Sequence, residues 1–384
     1  MDNEQVLAYI DAHQAEYVDL LGNLCAFEAT AYDKEELDRM VDFIAEYATD
    51  AGFSVQRTPM QACGDFLTVD LNMGAPKHSV FLAHMDTVHQ KGRFGSPAVR
   101  VENGRMIAPG AIDCKGGIAI ALLCMKALRE CGYDKHVRLI LTSDEEVSNV
   151  LGGEAEMAFF RERVQGFSYA LNCETTKRGE AVVSRKGILR YEVTVQGSGG
   201  HAGIFYFEAK NPVVEAAHKI LALERSSSRE GATFSCNVIR AGSASNVIPD
   251  SCTFTVDVRV STRAEMEGAD RLVREMVAKS YLGGTSAQIT LLGHRPPMEK
   301  TARSVALLEH LSGISKSLGF GPLTSVCSGG GSDSAYTQLA GVTSLCGLGA
   351  EGDFCHTDRE YAEISSIARR AKLLATLLCE EVYI

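Results

Sequence analysis

The chain has 384 residues, 45% of them hydrophobic and 23% charged, with a net charge of −11. That length suits two domains rather than one, and the composition is ordinary for a globular protein in water. The acidic balance excludes nucleic acid and anionic membrane as partners, since both select a basic face.

The opening Met1-Asp2-Asn3-Glu4 lacks the basic and apolar regions of a secretory signal, and the longest apolar run, Ile118 to Met125, is too short to span a bilayer. Twelve cysteines include no C-x-x-C pair, so reduced thiols in a cytoplasmic protein with no membrane role are expected. Amphipathic helices are predicted at 3–28 and 33–51, the second closed by Gly52, then strands at 53–58, 65–71 and 78–83. A helix over 117–131, a strand at 137–142, a helix near 153–163 and a strand at 169–173 follow. The near-continuous apolar run at 137–142 is typical of a strand covered on both faces, and the alternation predicts a mostly parallel sheet flanked by helices.

Beyond about residue 185 the pattern changes to strand 188–197, helix 211–225, strands 232–241 and 251–260, helix 263–280 and strand 286–293. That is the order of a split βαβ unit, α+β and ferredoxin-like. After Pro296-Pro297 the first pattern resumes with helix 302–318, strand 324–327, helix 332–340, strand 342–346 and helix 363–381. The expected organisation is an α/β catalytic domain in two pieces, 1–185 and 298–384, with a lid inserted at 186–297.

The chemistry-bearing residues collect at predicted strand ends. His84 and Asp86 form a His-x-Asp whose carboxylate can hold the ring nitrogen facing away from a metal, fixing the tautomer. Asp113 lies in the glycine-rich run Pro109 to Gly117, where a carboxylate can bridge two cations. Of the adjacent Glu145 and Glu146, one can ligate metal while the other acts as base on water; Asp144 beside them reads as a solvated turn. Glu174 and His356 complete two ligand sets, each one histidine and one carboxylate around a shared bridge. Cys114, Cys173 and Cys355 adjoin these ligands, but strand alternation points their thiols away.

Gly197-Ser198-Gly199-Gly200-His201-Ala202 matches a dinucleotide fingerprint, yet no helix follows at once, so an NAD-binding oxidoreductase is set aside. His201 makes better sense as a donor to a developing oxyanion. Asn246 and Arg259 lie on the second hairpin of the lid, and arginine suits bidentate carboxylate recognition. Gly330, within Gly329-Gly330-Gly331-Ser332-Asp333, is expected in a turn lining the substrate cleft, and Arg185, Lys186 and Arg295 stand near the domain junctions.

Together these motifs resemble the M20 family of zinc peptidases and acylases over essentially the whole chain. The resemblance implies two Zn2+ per chain, with Co2+ or Mn2+ as substitutes, held by His84, Asp113 (bridging), Glu146, Glu174 and His356. It implies Glu145 as general base, Asp86 as the acid orienting His84, and a cis peptide after Asp113. It further implies a homodimer through the lid, with His201 reaching the partner's site, and substrate contacts from Asn246 and Arg259. Ala108-Pro109-Gly110, Gly329 to Asp333, Gly347 to Tyr361 and Glu rather than Asp at 174 look most like the glutamate carboxypeptidase branch. Lys186 and His294-Arg295-Pro296 depart from it. The expected activity is hydrolysis of an amide next to a free carboxylate in a small peptide or N-acyl amino acid. A non-peptide deacetylase on the same site, and an inactive metal-binding partner protein, are the rivals.

Overall fold

The computed structural model describes residues 2–382. The chain opens with α1 (Asn3–Cys25), where the Asp2 carboxylate accepts the Glu4 N–H, and α2 (Lys34–Asp50), where Asp33 does the same for Glu36. There follow β1 (Ser54–Thr58), β2 (Phe66–Leu71), β3 (Lys77–His84), a small hairpin of β4 (Arg100–Glu102) and β5 (Arg105–Ile107), and α3 (Lys115–Glu130). Next come β6 (His136–Thr142), α4 (Gly153–Val164), β7 (Tyr169–Asn172) and β8 (Glu180–Arg185). The middle of the chain carries β9 (Gly187–Gln196), β10 (Gly200–His201), α5 (Pro212–Arg225), β11 (Thr233–Ala241), β12 (Val247–Ile248), β13 (Ser251–Val260), α6 (Arg263–Ala278) and β14 (Ser286–Arg295). The last part is α7 (Ala302–Ser317), β15 (Thr324–Ser328), α8 (Ser334–Leu339), β16 (Thr343–Leu345), β17 (Gly352–Asp353), β18 (Tyr361–Glu363) and α9 (Ile364–Cys379).

These elements form two compact units: residues 1–184, 300–327 and 332–384, and residues 185–299 with 328–331. In the first, a six-stranded sheet has the order β1-β2-β6-β3-β7-β16. β3 runs parallel to β6 and β7, and β7 to β16, while β1 and β2 complete the edge antiparallel. Alternate residues go to opposite faces. Phe81, Ala83, Leu139 and Leu141 join a core with α1, α2, α3, α7 and α9; Val80, Leu82, Ile140 and Ala170 join a second core with Phe159 and Phe160 of α4 and Tyr336 of α8. Both faces are therefore dry, which is why these strands lack a polar stripe.

The second unit has its own core. Its antiparallel sheet, in the order β11-β13-β9-β14, is the strand order of a split βαβ unit. Leu189, Tyr191, Val193 and Val195 of β9 pack with Phe254, Val256 and Val258 of β13 against Leu223 of α5 and Val273 of α6. Tyr191 also donates its hydroxyl to Asp270 of α6 at 2.6 Å. Strands β4, β5, β8, β10, β12, β17 and β18 were not expected from the periodicity; most are two or three residues long. No helix among the described residues is long and apolar enough to cross a membrane.

Candidate metal centre

The carboxyl ends of β3, β6 and β7 lie side by side, and each delivers a polar residue just beyond its last apolar one. Ligands of open parallel sheets gather at this edge. His84 ends β3, Glu145 and Glu146 follow β6, and Glu174 follows β7. Asp113 arrives from the loop before α3, and the peptide bond from Asp113 to Cys114 is cis. His356 comes from the loop between β17 and β18. Glycines permit this convergence: a Cβ on Gly117 would lie 2.2 Å, and one on Gly349 1.9 Å, from the Cys173 carbonyl oxygen. The α3 start and the 347–350 loop thus close on the end of β7 and seat Glu174 in the cluster.

Asp113 is the hinge of the geometry. Its Oδ1 is 3.1 Å from His84 Nε2 and its Oδ2 3.1 Å from His356 Nε2. His84 Nε2 is also 3.8 Å from Glu174 Oε1, and His356 Nε2 3.2 Å from Glu146 Oε2. Potential ligand atoms of His84, Glu145 and Glu174 fall within 4.8 Å of one another, as do those of His84, Asp113 and Glu146 and those of Asp113, Cys355 and His356. The side chain of His84 is 2% exposed and that of His356 51%, so the His356 side of the cluster is the open one.

The donor set fits divalent cations. Four carboxylates and two imidazoles converge here. The Asp113 carboxylate raises His356 well above its ordinary value. Burial opposes a charge on His84, but Cys114, Asp113 and Asp86 outweigh it and hold this imidazole high as well. Burial, then the charge on Asp113, pushes the Glu146 carboxyl up. Imidazole nitrogens and carboxylate oxygens gathered at these distances are the donors a divalent cation takes.

The positioning contacts differ in detail from the sequence expectation. His84 Nδ1 is 3.0 Å from the backbone oxygen of Asp86 and 3.4 Å from its carboxylate. The Asp86 oxygens instead accept the backbone N–H groups of Glu145 at 3.2 Å and Glu146 at 3.0 Å. They thereby fix the 3₁₀ turn (Glu145–Val147) on which both glutamates sit, where extended strand-end residues had been expected. Asp144 is no solvated turn. It is fully buried, accepts the Gly152 N–H at 2.8 Å, and burial pushes its carboxyl up to about 6.

Three positioning residues escaped the sequence reading. Glu360, 1% exposed, accepts the N–H groups of Ile112 at 3.0 Å and Asp113 at 3.2 Å through Oε1, while Oε2 meets His89 Nε2 at 2.8 Å. Lys115 donates to the carbonyls of Phe27 at 2.7 Å and Pro109 at 3.2 Å, pinning the same loop. Asp333 accepts from Thr142 Oγ1 at 2.6 Å and Asn149 Nδ2 at 3.0 Å, tying the loop after β6. Two acids and a lysine were visible in the sequence, but nothing local marked their partners. Cys355 also departs from expectation: its thiol donates to Asp113 Oδ2 at 2.8 Å. The alternation argument holds only inside strands, and Cys355 lies in a turn between Phe354 (φ 60°) and His356 (φ 64°). Cys114 and Cys173 do turn to backbone carbonyls, those of Cys173 and Leu171.

The remaining expected residues lie in the second unit. His201 is exposed on β10, which pairs with β12, and its Nδ1 accepts the Gly203 N–H at 3.2 Å. The Asn246 backbone oxygen accepts from Ala202 at 2.9 Å, so His201 and Asn246 are brought together. Arg259 is held bidentately by Asp257, at 2.6 and 3.1 Å, and also reaches the Gly329 oxygen at 3.4 Å, next to the exposed Gly330. Arg185 donates to the Gly331 oxygen at 2.9 Å, and Lys186 to Ser261 Oγ at 2.7 Å. Where the dinucleotide fingerprint would need a helix, β10 and turns intervene and α5 starts only at Pro212.

Residues 80–380 match the model of peptidase family M20/M25/M40. The chain is 27% identical to carboxypeptidase G2 of Pseudomonas sp. (strain RS-16), an alignment covering 99% of this chain and 92% of the relative. It is 26% identical to a succinyl-diaminopimelate desuccinylase of Methylocella silvestris, covering 88% and 91%. Among solved structures, an M20 family metallo-carboxypeptidase from Sulfolobus solfataricus superimposes with a TM-score of 0.78 at 15% identity, covering 94% of this chain and 98% of that one. The protein thus belongs to peptidase family M20/M25/M40 and is a metal-dependent amide hydrolase.

Proposed function

We propose that the protein is a dinuclear zinc hydrolase that cleaves an amide next to a free carboxylate, as a carboxypeptidase, dipeptidase or N-acyl-amino-acid hydrolase. The observation that carries this reading is Asp113, whose two oxygens face two different imidazoles, each with its own second carboxylate. His84 and Glu174 with one oxygen would hold one ion, and His356 and Glu146 with the other oxygen the second; Co2+ or Mn2+ can substitute. Bound there, the ions supply Lewis acidity toward the amide carbonyl and acidify water. Glu145, grouped with His84 and Glu174, takes a proton from the attacking water and returns it to the leaving amine. Asp86 keeps Glu145 and Glu146 apart by holding both backbone N–H groups.

On the second unit, His201 serves as donor to the carbonyl oxygen as it gains charge, Asn246 and Arg259 contact the substrate carboxylate or the transition state, and Gly330 lines the substrate cleft. Because Asp257 already compensates Arg259, that guanidinium is oriented more than it is free. Residues 186–297 act as lid and as the surface of a homodimer. Twelve free cysteines suit a reducing cytoplasm. The relatives named as desuccinylases favour a second reading, removal of an acyl group from a non-peptide amine on the same site.

The test combines metal content with a panel of dipeptides, C-terminal glutamate conjugates and N-acyl amino acids, with zinc and with chelator. Roughly two zinc ions per chain and chelator-sensitive cleavage are expected. Cleavage confined to acyl groups on non-peptide amines selects the second reading, and folded protein that takes up no metal overturns both.

A further inference from the structure

We propose that Cys355 supplies a sulfur donor to the cation on the His356 side of the centre, making that position softer than its His84 counterpart. The inference rests on the two-metal reading above and goes beyond it. Cys355 Sγ lies 2.8 Å, and His356 Nε2 3.1 Å, from the same oxygen, Asp113 Oδ2. Ligand atoms from Asp113, Cys355 and His356 all lie within 4.8 Å of one another, close enough to share one ion.

Consecutive residues normally cannot aim side chains at one atom. Here they do, because Phe354 and His356 both occupy the left-handed region, at φ 60° and 64°. Non-glycine residues rarely adopt it, and this turn is held there by Thr357, whose N–H and hydroxyl donate to the Phe354 oxygen at 3.0 and 2.8 Å. Glu360 then fixes the facing loop through the N–H of Asp113 at 3.2 Å. The arrangement is selective within the chain: Cys114 and Cys173, equally near in sequence to ligands, give their thiols to backbone carbonyls.

Chemically, an S–H and an imidazole N–H donate to one carboxylate oxygen. A divalent cation seated among these three donors takes the place of those two protons. Both protons leave to solvent as the sulfur and the imidazole nitrogen become ligands. Sulfur donors favour zinc, cobalt and cadmium over manganese and magnesium, whereas the His84 side offers only nitrogen and oxygen. The two positions therefore differ in metal preference, and the softer is also the more exposed.

The experiment loads the full chain with Co2+ and records cobalt content and near-ultraviolet absorption. Expected are bound cobalt and a sulfur-to-cobalt charge-transfer band, which Cys355→Ser removes while cobalt stays bound. The same variant should narrow the preference for zinc over manganese by about tenfold. Cobalt-loaded protein without the band, or a band that survives Cys355→Ser, overturns the sulfur ligand alone. Folded wild-type protein that binds no cobalt overturns it together with the two-metal reading. Should the variant not fold, alkylation of the wild-type chain mapped by mass spectrometry decides: zinc should shield Cys355 but not the exposed Cys327. Equal labelling of Cys355 with and without zinc would sink the proposal.

Discussion

Glu145 and Glu146 are neighbours in the chain that share His84 but differ in their other company: Glu145 groups with Glu174, Glu146 with Asp113 and His356. Their separate roles follow from the 3₁₀ turn that Asp86 holds. Replacing Glu145 with Gln keeps the side chain's volume and removes only its basicity. Turnover should fall by about 10²- to 10⁴-fold with metal content unchanged, as measured by kcat and elemental analysis. Full activity in that variant would assign the proton transfer elsewhere. Glu360 is a positioning residue. In Glu360→Ala the buried N–H groups of Ile112 and Asp113 lose their acceptor, costing about 1–3 kcal/mol of stability. Asp113 is then less well aimed, so metal affinity, read by chelator competition, should drop by roughly 10- to 100-fold. Unchanged affinity would reduce Glu360 to a structural support for the loop.

At the scale of elements, strand ends were the legible part of the site. The apolar runs ending at His84, Thr142 and Asn172 announced buried parallel strands, and their next polar residues had nowhere to point but the sheet edge. Strands of two or three residues, such as β4, β5 and β17, carry too few alternations to be read as a period. The turn that aims Cys355 could not be read either, because left-handed Phe354 and His356 have no glycine to mark them. Glu360 meets Ile112 across 248 positions, a contact no local pattern contains. The same holds for Asp70 of β2, which faces Arg138 of β6 directly in register and binds it at 2.7 and 3.1 Å, with His136 Nε2 at 2.6 Å. Burial works against the Asp70 charge, but His136 and Arg138 outweigh it and hold the carboxyl below its ordinary 3.8. A depressed folded value contributes stability that is complete above the unfolded value and is lost as pH falls through the folded one. Asp70→Asn should therefore cost about 3–5 kcal/mol near neutrality, where Arg138 loses its buried partner. In denaturant titrations the gap to wild type should narrow as pH drops below about 4; a gap independent of pH would mean that Asp70 acts through packing alone.

For the whole molecule, the decisive fact is that every proposed metal ligand belongs to one of the two units. His84, Asp113, Glu146, Glu174 and His356 all lie in the unit built from residues 1–184, 300–327 and 332–384, whereas residues 185–299 fold around a separate core of β9, β13, α5 and α6. A ligand stabilises only the folded unit that binds it, by RT ln(1 + [L]/Kd), about 2.7 kcal/mol when the free ion stands at a hundred times its Kd. Two cores also mean that one unfolding transition is not the default expectation. Calorimetry with zinc and with chelator should then resolve two transitions, of which metal raises one and leaves the other in place. Substitutions in the second core, such as Val256→Ala at a buried position of β13, should move the metal-insensitive transition alone, by the roughly 1–3 kcal/mol typical of a buried deletion. A single transition that metal shifts as a whole would show instead that the inserted unit unfolds with the metal-binding unit. Metal occupancy would then report on the stability of the entire chain, and loss of metal would expose the core of the inserted unit as readily as the centre itself.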